Sequence, residues 1–150
     1  MSMKAGKVSE SVLKRSVLKQ LHKGGKDILI GASVGSDFSA IQLAEEVLIL
    51  SSNPITGDSA KIGRRIVLEA MNDVAMSGAT PVGIMCNVLF PTVSNEAQLR
   101  EMMKDIDDAA AELGIVVLGG HTEVTNVVTQ PVITVTGVGK IHKDKRQCAG

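Results

Sequence analysis

Only two of the 150 side chains are aromatic, Phe38 and Phe90. The interior must therefore be aliphatic, built from Val, Ile, Leu, Met and Ala within a hydrophobic fraction of 44%. A chain of this length buries roughly two-thirds of the surface its unfolded form exposes, which supports one core without disulfides or metals.

The same scarcity narrows function. Two aromatics cannot form a base-stacking platform, and 16 basic against 16 acidic residues leave no electrostatic footprint for nucleic acid. The densest apolar run, residues 82–90, is interrupted by Asn87 and falls well short of the roughly 20 residues that cross a bilayer. Lys4 and Lys7 are followed by polar residues, so the N-terminus does not read as a signal peptide. Cys86 in an apolar run and Cys148 in a polar tail suggest free thiols and a reducing compartment. The expectation is a soluble cytoplasmic protein that engages neither nucleic acid nor membrane.

Hydrophobic periodicity sets the order of elements. Leu13, Val17 and Leu21 recur at four-residue spacing, predicting a helix over residues 9–21 that stops at Gly24 and Gly25. Extended stretches are predicted at 27–30, 39–43 and 47–51, and Asn53-Pro54 with Thr56-Gly57-Asp58 reads as turn chemistry. Residues 62–77 give the strongest helical pattern, ending at Gly78; residues 95–113 give a second, ending at Gly114. Strands are expected at 82–90, 115–118 and 131–137. The fold class is α+β, a mixed or antiparallel sheet covered by long helices. From Gly139 onward the apolar pattern fades into a linker or tail.

No P-loop, CxxC or HExxH motif is present, and no catalytic nucleophile can be argued from spacing. Three polar sites stand at the ends of apolar elements: Gly35-Ser36-Asp37, Asn72-Asp73 and Gly119-Gly120-His121-Thr122-Glu123. A carboxylate beside a core helix face is costly to bury unless paired or bound to a cation. Together the three sites fit oxygen ligands around a divalent cation that carries phosphates. Structural readings stand beside this one: Asp73 paired with a basic side chain or capping an amide, Asp37 as a turn residue, His121 as a hydrogen-bonded structural histidine. The Asp105, Asp107, Asp108 and Glu112 group reads as a solvated helix face.

The stretch from Ile62-Gly63-Arg64 through Asn72-Asp73-Val74-Ala75-Met76-Ser77-Gly78-Ala79-Thr80-Pro81 resembles the "iG…NDlAamGA.P" signature of the aminoimidazole ribonucleotide (AIR) synthetase superfamily. That group includes selenophosphate synthetase, thiamine monophosphate kinase, phosphoribosylformylglycinamidine synthase and the hydrogenase-maturation carbamoyl dehydratase. Residues 35–40, 52–56 and 119–123 resemble three more of its motifs, in order and spacing.

The resemblance implies the N-terminal half of a two-domain, ATP-dependent enzyme, with strands pairing across a homodimer into a barrel. It implies Mg2+ and ATP as cofactors. Metal roles would fall to Asp37, Asp73 and Asn53, and phosphate or substrate contacts to Asn72, Gly119, Gly120, His121, Thr122 and Glu123. Ser36, Asn53 and His121 stand where the family commonly has acids. Asparagine brings no charge, and neutral imidazole suits zinc or softer ions better than magnesium; a protonated His121 would instead touch a phosphate. The implied organisation is an N-terminal helical segment over 1–24, an ATP- and Mg-binding domain over 25–140, and a linker over 141–150 toward a C-terminal domain on the same or another chain. The alternative is a non-catalytic dimerisation or nucleotide-binding module with a weakened metal site.

Overall fold

The structure is a computed structural model and describes residues 3–22, 24–56 and 62–145. Alternating and continuous aliphatic runs form six strands: β1 (Ile28–Ile30), β2 (Ser39–Leu43), β3 (Glu46–Thr56), β4 (Thr80–Pro91), β5 (Val116–Thr125) and β6 (Val132–His142). They make one open mixed sheet in the order β1-β2-β3-β6-β4-β5, antiparallel throughout except for the parallel pair β4–β5. The class is therefore α+β, as the periodicity predicts.

Two long helices cover one face. The apolar spacing of α2 (Ile62–Met76) buries Ile62, Ile66, Val67, Ala70, Met71 and Val74. The helix α3 (Glu96–Glu112) buries Met102, Ile106, Ala109 and Ala110. Its first turn is fixed by a capping box: the Gln98 amide N–H donates to Asn95 Oδ1 at 3.0 Å, and the Asn95 N–H donates to Gln98 Oε1 at 2.9 Å. The layers meet with little between them. A Cβ at Gly137 would lie 3.0 Å from the Ala70 carbonyl oxygen, and one at Gly139 would lie 2.4 Å from Val74 Cγ1, so α2 rests directly on β6. Gly63 does the same for the helix pair, 3.0 Å from the Met102 carbonyl oxygen.

Several local expectations change. Residues 10–20 are helical but irregular: one turn of α-helix, α1 (Glu10–Val12), then π-helix (Leu13–Val17) and 3-10 helix (Leu18–Gln20), with no residue fully buried. Asn53 and Pro54 do not turn; they continue β3, paired with Val135 and Thr134 of β6. The turn residues Gly57 and Asp58, like Cys148, lie outside the described residues. Strand β5 does not stop at Leu118 but runs through Gly119 to Thr125. Strand β6 runs past Gly139 to His142 and pairs with Glu46, Val47 and Leu48, because the length of β3 supplies a partner for it. No helix of the described residues is long and apolar enough to cross a membrane.

Cys86 lies in β4, 4% exposed under the helices, and burial pushes its thiol from 9.0 up to about 11. The protonated thiol is the form the fold accepts. Its contribution to stability is whole below about pH 9, where an unfolded thiol is also protonated, and is lost as pH rises through about 11. Urea midpoints should fall across that window, and less steeply in Cys86→Ala. Iodoacetamide should spare Cys86 in the native protein and modify it in denaturant, as read by peptide mass spectrometry.

Candidate functional site

Period-two geometry decides which side chains of β3 meet the helices. Val47, Ile49 and Ile55 are buried toward α2, and Ser51 and Asn53 share their parity. On the facing helix, Asp73 immediately precedes the buried Val74 and is itself half-buried. The three polar groups meet. Asp73 Oδ2 accepts from Ser51 Oγ at 2.7 Å and from Asn53 Nδ2 at 2.5 Å, and Asn53 Nδ2 also donates to Ser51 Oγ at 3.2 Å. Ser51, 3% exposed, is the one buried polar side chain among the described residues. Asn72, the neighbour of Asp73, is exposed.

Asp37 reaches the same region by another route. Strand β2 pairs with β3 only from Glu46 to Leu50, whereas β6 pairs with it to Thr56. Beyond Leu50, β3 has no β2 partner, and the loop from Gly31 to Phe38 lies there with residues of the N-terminal helical segment. The step holds a groove of about 420 Å³ lined by Ser36, Asp37, Ser51, Ser52, Leu13 and Val17 among others. Ser36 Oγ donates to the Phe38 carbonyl at 2.8 Å, closing a tight turn in which Asp37 is exposed. Ser51 thus lines the Asp37 groove and donates to Asp73.

The Gly119–Glu123 segment lies elsewhere. His121 is paired in register with Asn87 of β4, which pairs with Thr134 of β6 and so with Pro54 of β3. Asn87 is exposed between the buried Cys86 and Val88, so this row lies on the face away from the helices. His121 Nε2 and Glu123 Oε2 are 3.1 Å apart there, both well exposed; Thr122 between them alternates toward the helix side. Ser51 and Asn53 face the other way. Three strand spacings separate β3 from β5, about 14 Å. Two oxygens on one magnesium ion are no more than about 4 Å apart. His121 and Glu123 therefore cannot share an ion with Asp73.

The glycines ahead of His121 serve the sheet. Gly119 and Gly120 have φ of 153° and 147°, where side chains are strained, and a Cβ on Gly120 would sit 1.8 Å from the Cys86 carbonyl oxygen. Glycine here lets β5 close on β4.

The donor set does not fit a resident magnesium ion. Asp73 Oδ2 is already met by two donors, Asn53 turns N–H groups and not an oxygen toward it, and Asp37 lies in a separate loop. Among the described residues no three His, Cys, Asp or Glu side chains are grouped to hold a metal. The ion pairs, including Arg64–Glu112 at 2.6 Å between the helices, are solvent-exposed and contribute little. Ser51 was not a sequence candidate; its parity with Val47, Ile49 and Ile55 is the signal that finds it.

The N-terminal domain of AIR synthase related proteins matches residues 35–141. A putative hydrogenase expression/formation protein of Methanocaldococcus jannaschii is 26% identical over 150 residues, covering 95% of this chain and 45% of that protein. This chain thus spans less than half the length of that relative. Among solved structures, PurLQS from Thermotoga maritima superposes with a TM-score of 0.75 at 19% identity, over 97% of this chain and 28% of that one. The hydrogenase maturation protein HypE in complex with ATP gives 0.60 at 22%, over 93% and 42%.

The two glycines should respond differently to alanine. Gly119→Ala adds backbone strain of about 1–3 kcal/mol, with nothing within 4 Å of the new carbon. Gly120→Ala adds the collision with Cys86 and should cost more, seen as a lower urea midpoint and faster hydrogen exchange in β4 and β5. Equal losses would show that the close approach is unimportant.

Proposed function

Because the chain belongs to the AIR synthase related family, we propose that it is the N-terminal, nucleotide-binding half of an ATP-dependent enzyme that phosphorylates and activates a small substrate. The observation that carries this reading is the groove beside β3, which the exposed Asp37 lines together with Ser36, Ser51 and Ser52. Magnesium enters with ATP as part of the substrate, and the exposed Asp37 is placed to meet its hydration shell. The fold-level likeness to HypE in complex with ATP supports the same reading. Chemistry of this kind rests on position and charge and requires no protein nucleophile. The portion of the relatives that this chain does not span would supply further contacts to nucleotide and substrate, on the same polypeptide or another.

A second reading, homodimerisation, follows from the sheet face opposite the helices. Leu48 and Val138 are half-buried there and Met85 is 47% exposed. A second copy pairing on this face would cover an apolar surface that water otherwise meets.

Two measurements test these readings. Thermal unfolding with millimolar ATP and Mg2+ should shift upward by several degrees, and Asp37→Ala should remove most of the shift; no shift in the wild type would sink the nucleotide reading. Static light scattering should give twice the 15.7 kDa chain mass, reduced to one chain in Met85→Lys. A wild-type monomer at micromolar concentration would rule out the dimer.

A further inference from the structure

The Asn53 amide nitrogen donates into the Asp73 cluster, with Asp73 Oδ2 at 2.5 Å and Ser51 Oγ at 3.2 Å. The Ser51 hydroxyl, having accepted that bond, donates its own hydrogen to Asp73 Oδ2 at 2.7 Å. The three groups form a closed triangle in which Asn53 donates to both partners and Asp73 Oδ2 accepts from both. Turning the amide over would set its oxygen against a carboxylate oxygen with no hydrogen between them. A divalent cation would demand that arrangement, because magnesium and calcium take oxygen ligands. An aspartate at position 53 would instead add a second negative charge against Asp73 and remove both N–H donors. Two carboxylates so close need a proton or a cation between them.

We infer that the Asn53 amide takes the place of a divalent cation at Asp73, so that Ser51, Asn53 and Asp73 form a metal-independent clamp between β3 and α2. Exchanging one nitrogen for oxygen, in Asn53→Asp, converts that clamp into a cation-dependent site. The clamp requires no nucleotide for its hydrogen bonds.

Thermal unfolding without nucleotide, in EDTA and in millimolar Mg2+ or Mn2+, is the test. The wild type should melt at the same temperature in all three. Asn53→Asp should melt several degrees lower in EDTA and recover with either metal, while Asp73→Asn and Ser51→Ala should be destabilised and indifferent to metal. Water-proton relaxation of Mn2+ with the wild type gives a second readout, expected to match free Mn2+. Saturable stabilisation or relaxation enhancement in the wild type, lost in Asp73→Asn, would overturn the inference, as would a folded Asn53→Asp that ignores metal. Should Asn53→Asp fail to fold, the wild-type Mn2+ measurement decides. No sample contains nucleotide, so a failed ATP shift would overturn the nucleotide reading and leave this result standing.

Discussion

The contact of α2 with the two glycines of β6 sets the spacing on which the rest of the molecule depends. Gly137 and Gly139 offer no side chain, so Ala70 and Val74 come down onto the strand backbone itself. Asp73 precedes Val74 by one residue and inherits that closeness, which brings its carboxylate within hydrogen-bond reach of β3, the strand beside β6. A helix lifted by one intervening side chain would leave Asp73 buried against an apolar layer without partners, a cost that hydrogen bonds now remove. The aromatic-poor composition belongs to the same design. Layers this close have room for Ala, Val and Ile between them and little for a ring, and of the two rings present only Phe90 is buried.

Helices were legible in the sequence because their signal is long and redundant. The apolar face of α2 repeats through four turns, and α3 carries both its periodicity and its Asn95–Gln98 cap in the residue order. Strand limits were less legible, for local reasons. Asn53-Pro54 has turn chemistry, yet beyond Leu50 β3 has a strand neighbour on one side only, the position in a sheet where proline is tolerated. Gly119-Gly120 looks like a loop until the Cys86 carbonyl on the adjacent strand is in view. The extension of β6 to His142 depends on Glu46, nearly a hundred residues earlier, offering a partner. Each miss is a pairing across the sheet that no local window contains.

Candidate residues were found in sequence more readily than their grouping. Asp37, Asn53 and Asp73 come into one neighbourhood, through a groove wall and a hydrogen-bonded ring, and Ser51 joins them. His121 and Glu123 do not, although their motif stands as close to a strand end in sequence as Asp37 does. The difference is parity. One residue more or less before His121 would turn it to the opposite face of the sheet, and the register of β5 is set by the shift between Ile84 and Met85, after which Gly119 pairs with Met85. Its mark in the sequence is Gly119-Gly120, directly after the shift, since glycine inside a strand often accompanies a bulge or a close backbone approach.

The sheet therefore presents two polar environments with different physics. On the helix side, the Asp73 carboxylate is partly desolvated, and its neighbours are neutral donors fixed by strand and helix. Interactions there are strong because water is scarce, and the loss of a single donor is felt. On the open side, His121 and Glu123 pair in solvent, where an ion pair is weak and screened. A second chain laid on that face would change this: it would remove water from the His121–Glu123 pair and leave the Asp73 ring untouched. The two environments meet on β3, whose Ser51 faces the Asp73 ring while Ser52, one residue on, bonds Thr136 on the open face at 3.1 Å.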